Sequence, residues 1–190
     1  MQKTVIVING CGGVGKDTLV EMAARHLRVR NVSSITPIKE IARLCGWDGA
    51  KDDRSRKFLA DLKQLTVDYN DYPTRWLTEQ YRAFLSGEDE VMFVHIREPR
   101  EIKKFVAATG GRAVTLLIRG GKRFLAERGG AGYGNAADDE VENYPYDYIY
   151  VNNRPLRFTR AAFLRFLDRL LEERAGTGSP APDAPGESDR

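Results

Sequence analysis

The hydrophobic residues of this chain form short, nearly continuous runs separated by longer stretches with helical periodicity. Four runs, at residues 5–8, 91–94, 114–118 and 148–151, are typical of strands that are buried on both faces of a sheet. We interpret them as central strands of a parallel sheet, and a weaker extra strand is predicted at residues 32–35. Parallel strands need long crossover connections, so the stretches between them should contain helices.

Apolar residues at helical spacing lie between these runs and after the last one. The predicted helices span residues 18–27, 38–44, 54–69, 74–85 and 101–107. A last helix has Pro155 in its first turn and an apolar face that continues to Leu171. The alternation predicts an α/β fold in three layers, with helices on both faces of a central parallel sheet.

One domain accounts for most of the chain. Its 190 residues, of which 42% are hydrophobic and 30% are charged, are enough for one sizeable core. We assign residues 1–174 to this domain, with a helical region at about 36–86 and a glycine-rich lid at about 120–146. Residues 175–190 are rich in Gly, Ser, Pro, Ala and acidic residues, which predicts a disordered tail.

Charge and cysteine content narrow the range of partners. The net charge is +3, from 30 basic and 27 acidic residues, which does not indicate a dedicated nucleic-acid or membrane binder. The arginines of the last helix form either a basic binding face or a solvated helix face. Cys11 and Cys45 form no Cys-x-x-Cys pair, so neither a disulfide framework nor a zinc site is expected. A reducing, cytoplasmic setting fits, and we expect no signal peptide or membrane span.

A glycine-rich loop connects the first predicted strand to the first predicted helix. The spacing from Gly10 to Gly15-Lys16 is that of a P-loop, in the strand–loop–helix context that gives the motif its meaning. Backbone N–H groups and the helix dipole attract phosphate oxygens there, and Lys16 reaches the terminal phosphates. The loop therefore predicts a site for a purine nucleoside triphosphate, ATP. The residues assigned to it are Gly10, Cys11, Gly12, Gly13, Val14, Gly15, Lys16, Asp17 and Thr18.

The same loop also contains Gly10-x-Gly12-x-x-Gly15, the fingerprint of dinucleotide-binding folds. A dinucleotide site uses an acidic residue about 20 residues further on to bind the ribose. Residues 28–36 contain no acid, and a lysine directly after the last glycine has no role in such a site. These two features favour the P-loop.

The residue after the P-loop lysine departs from the usual motif. A Ser or Thr normally follows and binds Mg²⁺, whereas here Asp17 follows and Thr18 comes next. We predict that Asp17 and Thr18 hold the Mg²⁺ that accompanies ATP, Asp17 directly or through water. An acid in the first turn also stabilises a helix through its dipole, so a plain N-terminal role for Asp17 stays open.

The Gly-Lys-Asp ending of the loop resembles that of two groups of P-loop kinases, the phage-type deoxynucleoside monophosphate kinases and the animal-type phosphomevalonate kinases. Residues 36–40, Thr-Pro-Ile-Lys-Glu, resemble a stretch after their second strand, and Ile96-Arg97 resembles the Thr-Arg of their Asp-Thr-Arg motif. The resemblance implies the three-layer P-loop fold of nucleoside monophosphate kinases. It also implies that the predicted helical region binds an acceptor and that the lid closes over it.

Several basic residues take their predicted roles from this resemblance. It implies that Lys39 and Arg97 hold the phosphate of the acceptor, with Arg56 or Lys57 helping from a helix that resembles the basic acceptor-side helix of these kinases. Cations are needed there, because two polyphosphates brought within reacting distance repel each other. Arg119 directly follows a predicted strand and is our candidate for a lid residue that contacts the transferring phosphate.

His95 stands where these families have the aspartate of Asp-Thr-Arg. That aspartate would help to hold Mg²⁺ or polarise the acceptor. A neutral histidine still accepts a hydrogen bond from metal-bound water or takes a proton, and an acceptor that is already an ionised phosphate needs no strong base. We therefore keep His95 among the catalytic candidates, together with Lys16, Asp17, Arg97 and Arg119.

These features together predict transfer of the γ-phosphate of ATP to a small phosphorylated acceptor, first of all a nucleoside or deoxynucleoside monophosphate. Phosphomevalonate and other small phosphorylated metabolites stay open, because pocket shape decides among acceptors. One rival hypothesis is a regulator that binds a nucleotide without turning it over, which His95 favours. Another is a nucleic-acid 5′-end kinase that uses the arginines of the last helix, although we expect a small-molecule acceptor and no nucleic-acid partner.

Overall fold

The computed structural model describes residues 3–120 and 141–176, over which strands and helices alternate. The strands are β1 (Thr4–Asn9), β2 (Val29–Ser33), β3 (Val91–His95), β4 (Val114–Gly120) and β5 (Tyr148–Asn152). The helices are α1 (Lys16–Ala24), α2 (Thr36–Leu44), α3 (Asp53–Asn70), α4 (Tyr72–Ser86), α5 (Pro99–Ala108) and α6 (Leu156–Gly176), with a short 3₁₀ helix at Val141–Asn143. In these ranges no helix is long and apolar enough to cross a membrane.

The strands form one parallel sheet in the order β2-β3-β1-β4-β5. β1 lies at its centre and every residue of β1 is buried. The register pairs Ile8 of β1 with His95 of β3 and with Leu116 of β4. Because parallel strands end at the same edge of a sheet, the residues that follow β1, β3 and β4 come together there.

Two hydrophobic clusters cover the two faces of the sheet. Ile6 of β1 packs with residues of α1 and α6, including Phe163. Val7 points to the opposite face, as strand alternation requires, and packs with residues of α4 and α5, including Phe105. This arrangement confirms the predicted three-layer α/β fold. Each predicted helix is present, with ends that differ by a few residues from the predicted ones.

Some details of the prediction were wrong. β5 was expected in the centre, but it lies at the edge of the described sheet, where Ile149 and Val151 are 46% and 49% exposed. An apolar run also forms an edge strand when one face is covered, here by the packing of Tyr150 against Phe163. The weak extra strand was placed too late in the chain, because β2 ends at Ser33 and the chain then turns into α2.

The described residues bear on only part of the predicted lid and tail. Helix α6 continues to Gly176, so residues 175 and 176 are helical rather than part of the tail. Residues 121–140, which include most of the predicted lid, and residues 177–190 of the predicted tail lie outside the described residues.

Candidate active site

The glycine-rich loop between β1 and α1 has the backbone conformation that its sequence predicts. Gly10, Gly13 and Gly15 have φ angles of 145°, 74° and 92°, a region that residues with a side chain rarely adopt. Space is restricted as well, because a Cβ atom on Gly10 would lie 2.4 Å from the backbone oxygen of Ile118. A Cβ atom on Gly15 would lie 2.8 Å from Nδ2 of Asn152. The loop therefore requires glycine at both positions.

Lys16 is the first residue of α1, and its amine turns back over the loop. Nζ donates hydrogen bonds to the backbone oxygens of Gly10 and Cys11, the second at 2.9 Å. The half-buried lysine thus brings a positive charge next to the N-terminus of a helix. A cation, a helix N-terminus and a glycine loop in one place form a site suited to a polyphosphate. The residues predicted to bind ATP, 10–18, lie together in this loop and first turn.

Asn9, the last residue of β1, connects the loop to two other parts of the chain. Its Oδ1 accepts a hydrogen bond from the Gly10 N–H at 2.8 Å. Its Nδ2 donates to the backbone oxygen of Arg97 at 2.9 Å and to the hydroxyl of Tyr146 at 2.7 Å. Burial raises the pKa of Tyr146 to about 12, although the hydrogen bond from Asn9 opposes the increase, so the hydroxyl stays protonated. It donates in turn to the backbone oxygen of Val141 at 2.9 Å.

Two of the predicted acceptor-binding residues follow neighbouring strands of the sheet. Arg97 is exposed just after the end of β3, which pairs directly with β1. Lys39 is half-buried near the start of α2, which follows β2, the other neighbour of β3. The topology therefore brings both cations to the edge of the sheet that carries the glycine loop, where ligands of open α/β sheets bind.

Arg56 and Lys57 are exposed on α3 and pair with acids of their own helix. Arg56 Nη1 lies 3.1 Å from Asp53 Oδ1, and Lys57 Nζ lies 2.5 Å from Asp61 Oδ2. Exposed pairs of this kind are weak. The predicted role of Arg56 or Lys57 in binding the acceptor phosphate would require these pairs to open.

His95, at the end of β3, is held as a neutral imidazole. Its Nε2 lies 2.9 Å from Oδ1 of Asn31, and because a carbonyl oxygen only accepts, Nε2 carries the proton and Nδ1 keeps a lone pair. Burial lowers the pKa of His95, and the charge of Lys16 lowers it further, while Asp17 opposes both. His95 is therefore close enough to the first residues of α1 for their charges to act on it. The position that resembles the aspartate of Asp-Thr-Arg therefore carries a neutral group with one acceptor nitrogen.

The residues predicted to hold Mg²⁺ supply the right kind of ligand. Asp17 is exposed and Thr18 half-buried in the first turn of α1, and carboxylate and hydroxyl oxygens are the hard ligands that Mg²⁺ prefers. No three His, Cys, Asp or Glu side chains converge among the described residues. Mg²⁺ in phosphoryl-transfer sites commonly takes one or two protein oxygens and completes its shell with phosphate and water. The donor set here fits that pattern.

Arg119 lies at the end of β4 and is paired with an acid that the sequence prediction missed. Its Nε lies 3.0 and 3.1 Å from the two carboxylate oxygens of Glu142, and Nη2 also donates to Oε2. The hydrogen bonds lower the pKa of Glu142 and raise that of Arg119. Arg119 therefore comes to the loop edge already oriented by the 3₁₀ helix. The other basic residues of the predicted lid, Lys122, Arg123 and Arg128, lie outside the described residues.

Sequence reasoning missed further polar residues that support the loop. Asn152, at the end of β5, donates from Nδ2 to the backbone oxygen of Val14 at 2.9 Å, a contact that its position after a predicted strand did not indicate. Tyr146 and Glu142 precede β5 in a stretch without a recognisable motif. Asn9 had one usable signal, because it is a polar residue that ends an apolar strand directly before a glycine loop.

Solved structures resemble this chain, whereas no protein-family model and no curated protein matches its sequence. The shikimate kinase from Bacteroides thetaiotaomicron has a TM-score of 0.55 at 16% identity, over 89% of this chain and 98% of that one. The shikimate kinase from Acinetobacter baumannii in complex with shikimate has a TM-score of 0.56 at 11% identity, over 91% and 95%. The tunicamycin resistance protein from Deinococcus radiodurans has a TM-score of 0.57 at 12% identity, over 89% and 96%.

At such low identities, the likeness establishes the fold. The five parallel strands and the flanking helices are those of the P-loop kinase fold that the shikimate kinases share. The narrower resemblance to deoxynucleoside monophosphate kinases and phosphomevalonate kinases stays a prediction.

Proposed function

We propose that this protein is a P-loop kinase that transfers the γ-phosphate of ATP to a small phosphorylated acceptor, most favourably a nucleoside or deoxynucleoside monophosphate. One observation carries the proposal: the glycine-rich loop and Arg97 lie at the same edge of the sheet. The loop requires glycine at positions 10 and 15, and the amine of Lys16 turns back over it. The names of similar structures support kinase activity, since two of them are shikimate kinases.

The residues divide the work of an in-line transfer between them. The loop N–H groups and Lys16 bind the triphosphate and stabilise the charge that develops on the transferring group. Asp17 and Thr18 would hold Mg²⁺, which supplies further positive charge when it is bound. Arg97 and Lys39 bind and orient the acceptor phosphate, so that the reacting oxygen faces the ATP.

The neutral His95 supports a phosphate acceptor over a hydroxyl acceptor. A hydroxyl group must lose a proton as it attacks, and a carboxylate base commonly takes it. A phosphate monoester is mostly ionised at neutral pH and needs no such base. Nδ1 of His95 can accept a hydrogen bond from a water molecule, and that water can donate to the ionised acceptor phosphate and so help to place it.

A second candidate function is a nucleotide-binding regulator. The same replacement of an acidic residue by His95 is the observation that favours it, because ATP binding needs only the loop and Lys16. A regulator would bind ATP tightly and hydrolyse or transfer it slowly on every acceptor.

The test is ADP release, coupled to an optical readout, with Mg-ATP against a panel of acceptors. The panel contains nucleoside and deoxynucleoside monophosphates, phosphomevalonate and shikimate. Lys16→Ala should abolish the activity, and Lys103→Ala, which removes an exposed lysine of α5, should leave it unchanged. Acceptor-dependent turnover on a monophosphate supports the proposal. Tight ATP binding without turnover on any acceptor would favour the regulator. Turnover on shikimate alone would mean that the acceptor is not a phosphorylated compound.

A further inference from the structure

Helix α3 packs at the surface of the protein, with half-buried apolar side chains and one buried residue that is charged. Lys63 is its one buried residue, with 9% of its surface exposed. Its apolar residues are half-buried or exposed, and Leu65 and Tyr69 expose 66% and 84% of their surfaces. Among the described residues, neither hydrophobic cluster of the sheet includes a residue of α3. The contacts of Lys63 are therefore the one buried attachment of α3 among the described residues.

Lys63 reaches two acids at the N-terminus of α5. Its Nζ lies 2.7 Å from Oε2 of Glu98 and 3.0 Å from Oε2 of Glu101. The side chains of Lys63 and Glu101 are each 11% exposed, and that of Glu98 is 38% exposed. Glu98 is the N-cap residue of α5 and directly follows Arg97. This group, which we call the charge triad, thus connects α3 to the turn that carries Arg97.

The two glutamates of the charge triad depend on the lysine to different degrees. For Glu98, burial favours the protonated form, but attraction and a hydrogen bond to Lys63 outweigh burial, and its pKa is lowered. For Glu101, burial raises the pKa, and the negative charges of Glu98 and Asp71 add to that increase. Without the lysine, the buried Oε2 atoms of Glu98 and Glu101 would lose the positive charge beside them, which is unfavourable.

The turn at Arg97 is held from two directions. On one side, Nδ2 of Asn9 donates to the backbone oxygen of Arg97 at 2.9 Å, and this hydrogen bond links the turn to the residue before the glycine loop. On the other side, the ion pairs of the charge triad link the same turn to α3. A second ion pair, Lys104 to Asp71 at 2.8 Å, links α5 to the junction of α3 and α4. The position of Arg97 relative to the loop and to the acceptor-side helices therefore depends on both attachments.

We propose that Lys63 is a positioning residue for the acceptor, because it holds α3 and the Arg97 turn in one arrangement through Glu98 and Glu101. Lys63 acts through these acids and does not itself touch substrate. The proposal rests on the proposed function, in which Arg97 binds the acceptor phosphate. Because α3 contributes no side chain to either hydrophobic cluster, loss of the triad should loosen α3 while the core around β1 stays folded.

The experiment compares three variants with the wild-type enzyme by steady-state kinetics and by hydrogen–deuterium exchange of residues 53–70. Lys63→Met should raise the KM for the acceptor by about tenfold to a hundredfold, leave the KM for ATP within about twofold, and speed up exchange in α3. Lys63→Arg keeps the charge and should restore most of the affinity for the acceptor. Lys103→Met, on the exposed side of α5, should behave as the wild type.

A triple variant guards against simple misfolding. Lys63→Met combined with Glu98→Gln and Glu101→Gln leaves no unpaired buried charge, so it should fold and still show a raised acceptor KM with faster exchange in α3. Unchanged exchange in α3, or an equal increase in the KM of both substrates, would overturn the proposal. If the wild-type enzyme phosphorylates no acceptor, the proposed function fails, whereas the exchange measurement still decides whether Lys63 holds α3.

Discussion

The glycine loop and helix α3, which we propose for the ATP side and the acceptor side of the site, are held in opposite ways. The loop is bounded by β1, which is buried throughout, and by α1, which buries Leu19, Val20 and Ala23. Its own backbone is fixed by glycine geometry, by the hydrogen bond that the Gly10 N–H donates to Asn9, and by the one that Asn152 donates to the backbone oxygen of Val14. Helix α3 buries one side chain, and that side chain is a charged lysine.

The proposed function gives a reason for this difference. A phosphate-binding loop stabilises developing charge only if its N–H groups are already in place, so its order is established when the protein folds. The acceptor side has to admit one substrate and release a product, and such elements are drawn from the less stable parts of a fold. Substitutions in the loop should therefore affect both folding and ATP binding, whereas substitutions on the acceptor side should affect only the binding of the acceptor.

The largest effect is expected for Gly10→Ala. The new Cβ would lie 2.4 Å from the backbone oxygen of Ile118 at a φ angle of 145°, so β4 and the loop would have to move apart. We expect a loss of about 3 kcal/mol or more in the free energy of unfolding, together with loss of ATP binding. Urea unfolding and isothermal titration calorimetry would measure the two quantities.

Gly110→Ala is the matched control for this variant. Gly110 also has a positive φ angle, 65°, but an added Cβ meets nothing within 4 Å. It should cost about 1–2 kcal/mol through the backbone alone and leave ATP binding intact. If Gly10→Ala binds ATP normally and is no less stable than Gly110→Ala, the loop is not the rigid element described here.

The glycine loop was also the part of the site that the sequence predicted well. Strand, glycine loop and helix are consecutive in the chain, so residues 10–18 carry their own structural signal. The apolar runs likewise predicted the parallel sheet, because a strand that is covered on both faces leaves a continuous hydrophobic segment. They did not predict that β5 lies at the edge of the described sheet, since strand order depends on contacts between distant segments.

The supporting residues were missed for a related reason. Asn9 meets Tyr146, Arg119 meets Glu142, and Lys63 meets Glu98 only after the chain has folded. A charged residue in an amphipathic helix is most often solvated, so nothing in the sequence of α3 distinguished Lys63 from its exposed neighbours. Side-chain pairing across elements became visible only with the tertiary structure.

An intermediate effect is expected for Arg97→Ala, on the acceptor side alone. Removing the guanidinium should raise the KM for the monophosphate about a hundredfold. It should change the KM for ATP little, because the hydrogen bond from Asn9 goes to the backbone oxygen of Arg97, which the substitution keeps. Arg97→Lys keeps the charge but loses the two-pronged geometry, so its KM should be intermediate. Steady-state kinetics with each substrate varied in turn would show this. Arg100→Ala, at an exposed position of α5, should match the wild type, and a parallel increase in the KM for ATP would contradict the separation of the two sides.

The smallest effect is expected for His95, which lies between the two sides. Burial lowers the pKa of His95 from its ordinary value of 6.5, so the unfolded chain binds this proton more readily than the folded one. The stability that His95 contributes as a neutral group is therefore present above pH 6.5 and is lost as the pH falls below 6.5 toward the folded pKa. One proton changes the free energy of unfolding by at most about 1.4 kcal/mol per pH unit.

Unfolding by urea between pH 7.5 and 5.5 would test this with the two histidines of the chain as a matched pair. His95→Gln should flatten the loss of stability on the acid side, because no proton is then taken up at that position. His26→Gln removes the other histidine, which lies beyond the C-terminal end of α1 and accepts a hydrogen bond from Arg160, and serves as the comparison variant. Equal slopes in all three proteins would mean that His95 is not held neutral by the folded structure. The preference for a phosphate acceptor would then lose its support, since a histidine that protonates freely is also free to act as an acid or a base.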